Sequence, residues 1–273
     1  MTFPELFRSD VRIERDRAYL DGGHERHRLD IYAPPDARGL PVLLFFHGGG
    51  WYSGDKRLFE HLGRAFAVRG CVAVVVNYRL TPEVKGPEHA RDAAAALQWV
   101  HGNIEQYGGS ADRLVVSGHS AGGHLAALIT LDPRYRAEFP ISEGALRGVA
   151  MISAATDLRI HAETTTFTPR ERIEEAFGSS RGELGAASPI EYVHAGAPPF
   201  LILVAEDDPP GLREQGRRLA DALREAGTIL HYASIKGRDH FSIVRRFGPS
   251  DDPTVGAVVD FINHYATPVA PRP

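Results

Sequence analysis

Ser120 stands between two glycines in Gly118-His119-Ser120-Ala121-Gly122, a G-x-S-x-G pattern. A serine hydroxyl is a weak nucleophile until a histidine takes its proton, and that histidine needs a carboxylate to fix its tautomer and stabilise the imidazolium. The chain supplies both groups downstream. Glu206-Asp207-Asp208-Pro209 is an acidic cluster, and His240 lies in Gly237-Arg238-Asp239-His240-Phe241-Ser242. Upstream, His47-Gly48-Gly49-Gly50-Trp51 offers backbone N–H groups that no side chain obstructs. Such groups can stabilise negative charge on an attacked carbonyl, and removing one donor typically costs roughly 2.7–4 kcal/mol of transition-state stabilisation. Taken alone, G-x-S-x-G is equally a Gly-rich turn whose serine caps the following helix. The elements around it must decide.

Arg113-Leu114-Val115-Val116-Ser117 before the motif reads as a buried strand, and Gly123-His124-Leu125-Ala126-Ala127-Leu128-Ile129 after it as a helix start. A serine at the apex of such a strand-to-helix turn needs small neighbours, because a Cβ at either glycine would collide with the adjoining strand or helix. Residues 11–19 and 27–32, bridged by Asp21-Gly22-Gly23, read as an antiparallel hairpin. Continuous apolar runs at 42–46, 72–76, 148–153 and 199–204, with an alternating run at 229–235, add strands. Helices fall near 57–69, 88–107, 211–226 and 253–265. The expectation is an α/β chain with a mostly parallel, eight-stranded sheet wrapped on both faces by helices, and ligands at the carboxyl ends of the strands. The triglycine, Ser120, the acidic cluster and His240 each follow a strand, so they share that rim. Residues 155–195 are polar and irregular, with one helix at 169–177, and are the candidate cap or insertion over the site. The chain as a whole reads as one domain over 1–273 with a flexible tail at 267–273.

Together, His47-Gly48-Gly49-Gly50-Trp51, Gly118-His119-Ser120-Ala121-Gly122 and Gly237-Arg238-Asp239-His240-Phe241 resemble the α/β-hydrolase esterases of the hormone-sensitive-lipase-like and arylformamidase-like branches. The resemblance runs from about 27 to 265 and includes Gly54-Asp55-Lys56, Asn77-Tyr78-Arg79-Leu80 and Ser188-Pro189-Ile190. It implies the α/β-hydrolase fold, with Ser120 as nucleophile and His240 as base. The acid in the family ends a G-x-x-D often followed by proline, which selects Asp208 before Pro209. Ala205 replaces the usual glycine, so Asp207 stays as the alternative. The resemblance also assigns the oxyanion hole to the N–H groups of Gly49, Gly50 and Ala121, and gives His47 a supporting role in that loop. Trp51 is read either as a wall of the substrate pocket or as packing for the loop. His124 is read as packed on its helix or touching substrate, and His119 as support for the turn.

Composition narrows the partners. Lys+Arg 31 against Asp+Glu 35 leaves a net charge of −4, which gives no basis for binding nucleic acid or an anionic membrane. The single cysteine, Cys71, lies in an apolar run and reads as core. The pairs His24/His27 and His161/Glu163 lack further partners at metal-ligand spacing, so no metal is expected, and no glycine-rich phosphate loop follows a strand, so no cofactor is expected. Arg79 and Asp92 read as a buried ion pair. A signal-peptide core and a membrane-length apolar stretch are both missing from the sequence, which reads as cytoplasmic. The expected partner is a small-molecule ester or amide substrate, with a homodimer left open. The leading function is a serine carboxylesterase acting on small or aromatic esters. The alternatives are an arylformamidase-type amidase, whose branch often carries tyrosine where Gly50 stands, and a non-catalytic ligand-binding homologue.

Overall fold

The computed structural model describes residues 10–247 and 252–266. Its centre is an eight-stranded sheet in which the alternating side chains of the inner strands feed two apolar layers. The strands are β1 (Arg12–Ala18), β2 (Arg28–Ala33), β3 (Leu40–Phe46), β4 (Val72–Val76), β5 (Gly109–His119), β6 (Leu146–Ile152), β7 (Phe200–Asp207) and β8 (Leu230–Asp239). They lie in the order β1-β2-β4-β3-β5-β6-β7-β8. β1 pairs with β2 and β2 with β4 antiparallel, while all later pairs are parallel.

Leu44, Phe46, Val74, Val116, Met151 and Ile202 face one layer, and Leu43, Phe45, Ala73, Val75, Val115, Leu201 and Leu203 face the other. Both faces being buried explains why these strands read as unbroken apolar runs rather than as alternating ones. The helices are α1 (Glu60–Ala67), α2 (Glu88–Asn103), α3 (Ala121–Leu131), α4 (Pro133–Glu138), α5 (Leu158–Thr164), α6 (Arg170–Phe177), α7 (Arg181–Ala186), α8 (Pro210–Glu225), α9 (Ser242–Arg245) and α10 (Pro253–Tyr265). The expected mostly parallel, eight-stranded architecture is present, and so is the opening hairpin. The expected tail at 267–273 lies outside the described residues.

Residues 155–195 depart from the expectation of one helix in an irregular stretch. They hold three, α5 to α7, followed by a 3-10 turn at Pro189–Tyr192. The expected helix is α6; α5 and α7, of seven and six residues, are too short to display a 3.6-residue periodicity, and their starts are fixed by capping instead. The Asp157 carboxylate accepts from the Arg159 N–H, and Ser180 and Glu183 form a reciprocal capping box. The unanticipated α4 is set the same way, by the Asp132 carboxylate and Pro133 at its first position.

Candidate active site

β3, β5, β6, β7 and β8 are consecutive neighbours in the sheet, and the residues just past their carboxyl ends form one rim. After β5 the chain turns so sharply that Ser120 adopts φ 53°, ψ −118°. A non-glycine residue held there stores on the order of 1–3 kcal/mol. The flanking glycines make the turn possible. A Cβ on Gly118 would sit 2.3 Å from the Gly122 carbonyl carbon, and one on Gly122 would sit 2.0 Å from the Phe46 carbonyl oxygen. Ser120 is thereby placed at the N-terminus of α3, where the first N–H groups have no intrahelical acceptor.

The Ser120 Oγ lies 3.1 Å from His240 Nε2, and His240 Nδ1 lies 2.8 Å from Asp208 Oδ1. Asp208 is buried and Asp207 exposed, so the loop after β7 brings Asp208 and not Asp207 to the imidazole. The second carboxylate oxygen of Asp208 accepts from the Ser153 hydroxyl at 2.5 Å and from the Ala205 N–H at 2.7 Å. A carboxylate so held accepts the Nδ1–H of His240, which leaves Nε2 free to accept the serine proton. Ser153 stands at the end of β6 with φ 46°. The strand end predicted there was the only sequence signal for it.

His119 faces away from Ser120. Its Nε2–H donates to the His240 carbonyl oxygen at 2.7 Å, tying the histidine loop to the turn. The Phe167 ring stacks on the His240 imidazole with centroids 4.7 Å apart, and Phe241 packs edge-on against both rings. Phe167 and Phe241 are 39% and 41% exposed, so they rim the site rather than fill the core.

The triglycine loop approaches from β3. Gly49 and Gly50 take φ +127° and +61°, and their N–H groups donate no hydrogen bond among the described residues. A Cβ on Gly49 would meet the Ser53 carbonyl oxygen at 2.1 Å, and one on Gly50 would meet Thr168 Oγ1 at 2.8 Å. The loop is braced from behind. His47 is fully buried, stacks on Tyr78 and donates its Nδ1–H to the Gly48 carbonyl at 2.8 Å. Arg26 Nη2 donates to His47 Nε2 at 3.3 Å and to the Gly54 carbonyl at 2.9 Å, while its Nε donates to the Tyr78 carbonyl. An arginine can only donate, so it fixes the His47 tautomer. Burial pushes the His47 pKa down to about 4. Sequence reading missed Arg26, which lies in the hairpin turn with nothing around it to mark a role.

Trp51 corrects the reading of it as a pocket wall. It is 1% exposed, with its indole edge-on to His124, His161 and Phe177. An indole needs a partner for its N–H when buried, and here that N–H donates to His124 Nδ1 at 3.2 Å. His124 in turn donates its Nε2–H to the Ala187 carbonyl at 2.7 Å, so both its nitrogens are engaged within the protein and neither is free for substrate. Arg79 and Asp92 form the expected ion pair at 2.6 Å, remote from the chemistry. No cluster of three or more His, Cys, Asp or Glu side chains able to hold a metal occurs among the described residues. No helix among them is long and apolar enough to cross a membrane.

Comparison with known proteins fits this architecture. A family model described as the alpha/beta hydrolase fold matches residues 43–243. Esterase LipQ of Mycobacterium tuberculosis is 35% identical over 238 residues, covering 82% of this chain and 56% of that protein. The chain spans about half the length of such curated relatives. Among solved structures, an esterase of Pyrobaculum calidifontis superposes with TM-score 0.77 at 25% identity, covering 96% of this chain and 88% of that one. Esterase B from Lactobacillus rhamnosis shares the fold with TM-score 0.80 at 21% identity, covering 93% and 87%. The chain belongs to the alpha/beta hydrolase fold family, in its hormone-sensitive-lipase-like branch.

Proposed function

We propose that the chain is a carboxylic-ester hydrolase working through an acyl-enzyme on Ser120. The observation that carries this reading is the line from Asp208 through His240 to Ser120, 2.8 Å and then 3.1 Å, ending beside the triglycine loop. His240 Nε2 takes the Ser120 proton as Oγ attacks the ester carbonyl, and Asp208 stabilises the imidazolium that forms. The N–H groups of Gly49, Gly50 and Ala121 receive the negative charge on the tetrahedral oxygen. Collapse breaks the ester C–O bond, and His240 returns the proton to the leaving alcohol. Water then attacks the acyl-enzyme with His240 as base again, which releases the acid and restores Ser120.

Esters are favoured over formyl amides because the relatives carry the names esterase and carboxylesterase. The Gly50 position supports the same choice. Its φ of +61° and the nearby Thr168 and Tyr52 leave no place for the tyrosine of formamidases. Small or aromatic esters suit a site whose rim carries Phe167 and Phe241. We read 155–195 as the cap that delivers Phe167 and Thr168 to a single hydrolase domain. The enzyme needs no metal and no cofactor for this chemistry.

The test is hydrolysis of p-nitrophenyl acetate and butyrate, and of N-formylkynurenine, by the unaltered chain and by Ser120→Ala. Loss of the nucleophile should lower kcat on the esters by roughly three to six orders of magnitude. Equal rates from the two proteins would reject the serine mechanism, and turnover of the formyl amide alone would reject the ester assignment.

A further inference from the structure

Three rings meet the His240 imidazole. His119, with centroids 4.6 Å apart, is buried and tied by its Nε2–H to the His240 carbonyl. Phe167 and Phe241 are different, since each keeps about two-fifths of its surface open. Phe241 is fixed from outside by the Arg245 guanidinium, 4.9 Å over its ring. Phe167 arrives from the turn between α5 and α6, where its N–H donates to Thr165 Oγ1 at 3.3 Å. The next residue, Thr168, is buried against the oxyanion loop, so close that a Cβ on Gly50 would lie 2.8 Å from its hydroxyl oxygen. Two adjacent residues of this turn therefore touch the two flanks of Ser120, Phe167 at the base and Thr168 at the triglycine.

The acyl-enzyme reading given above, on which this inference rests, fixes which way an ester lies. Its carbonyl oxygen goes to the N–H groups of Gly49 and Gly50. Its alcohol oxygen goes to His240 Nε2, within about 2.6–3.2 Å, because that nitrogen returns the proton when the ester bond breaks. Whatever the alcohol oxygen carries then lies beside the imidazole, where the open apolar surface belongs to Phe167 and Phe241. Rings meet rings edge-on or offset, and such a pair adds roughly two- to tenfold in affinity beyond the area it buries. The acyl group leaves the tetrahedral carbon in the remaining direction. Trp51, the aromatic residue that follows the triglycine, is 1% exposed and offers it no ring.

We propose that Phe167 is a specificity-determining residue, which selects esters whose aromatic ring is on the alcohol over esters whose ring is on the acid. Benzyl acetate and methyl phenylacetate separate the two, being isomers that differ only in which side of the ester bears the ring. Their leaving groups, benzyl alcohol and methanol, are of similar basicity, so the chemistry of the two is matched. Ethyl acetate, which has no ring, shows what a change at Phe167 does to the base by itself.

The experiment measures kcat/KM on these three esters for the full chain and for Phe167→Ala, Phe167→Leu and Phe167→Tyr, with Ser120→Ala as background. The readout is the ratio of benzyl acetate to methyl phenylacetate, in which any loss common to all esters through the contact with His240 cancels. Phe167→Ala should lower that ratio by about fivefold or more, and Phe167→Leu, which keeps apolar bulk without a ring, by about threefold. Phe167→Tyr keeps the ring and should hold the ratio within about twofold. If Phe167→Ala fails to fold, the leucine and tyrosine variants decide the matter. An equal loss on all three esters would mean that Phe167 serves the base alone, and a larger loss on methyl phenylacetate would put the ring's partner on the acyl side. Either result overturns the proposal while leaving the ester reading intact. No turnover of any of the three above the Ser120→Ala background would overturn the ester reading, and this inference with it.

Discussion

The two flanks of Ser120 are built by different means. On the acid side, three side chains reach each other directly from neighbouring strand ends, and their partners Ser153, Ala205 and His119 are one bond away. On the oxyanion side the groups proposed to work are backbone N–H groups, and behind their loop stands a stack of buried polar and aromatic side chains. Arg26, His47, Tyr78, Trp51 and His124 all contribute to that backing, none of them facing the reacting atoms. A flank made of side chains depends on a few specific residues, whereas a flank made of backbone depends on packing spread over the hairpin turn, β3 and α3. Losses on the acid side should accordingly be abrupt, and losses on the oxyanion side graded.

The sharpest break in this comparison is Asp208→Asn. An amide in that place presents a donor to His240 and stabilises the wrong tautomer, so kcat on p-nitrophenyl butyrate should fall by about 10⁴-fold. Asp207→Asn, on an exposed side chain, should stay within about twofold of the unaltered chain. The reverse pattern would move the acid to Asp207. Next is Arg26→Met, which removes the donors to His47, Gly54 and Tyr78 while keeping an apolar stem. Loss of a whole oxyanion donor costs about 10²–10³-fold, so misaiming the loop should lower kcat by about 10–100-fold with KM little changed. A KM effect alone would mean that Arg26 holds substrate, not the loop. Ser153→Ala should be milder, about three- to tenfold in kcat, because the Ala205 N–H still holds the outer oxygen of Asp208.

The same contrast explains what could be read from the chain. Ser120, Asp208 and His240 announce themselves by chemical type at the ends of apolar strands, and the structure brings those three together. The glycines at 49, 50, 118 and 122 were legible because backbone crowding and positive φ exclude other residues. Of the backing of the oxyanion loop, His47 was legible through the resemblance but Arg26 was not, since an arginine in a hairpin turn looks the same whether it faces water or a buried imidazole. Trp51 shows the limit most clearly. Its position beside the triglycine admits a pocket wall or a core residue, and only the partner for its indole N–H decides between them. The two short helices on either side of the expected one, α5 and α7, escaped periodicity for a related reason, since Asp157, Ser180 and Glu183 hold them by caps and not by an apolar stripe.

Among the positioning residues the smallest effect at neutral pH belongs to His124, and its effect on stability emerges on acidification. Burial holds His47, His89 and His124 down at about 4 and His161 at about 3. In the unfolded chain each would titrate near 6.5. Between about pH 6.5 and 4 the unfolded state therefore binds protons that the folded state refuses, and stability falls as pH falls, by roughly 1.4 kcal/mol per pH unit for each such histidine. Above pH 6.5 the full stability is present. His124→Gln keeps a donor for the Ala187 carbonyl and an acceptor for the Trp51 indole but has no proton to take up. Its chemical denaturation, measured at pH 7.5, 6, 5 and 4.5, should show a shallower loss of stability than the unaltered chain by about that slope. Turnover at pH 7.5 should fall only about two- to threefold, since the indole keeps its acceptor. Parallel stability curves for the two proteins would mean that His124 accepts a proton inside the fold, and that the oxyanion loop is not backed by a neutral imidazole.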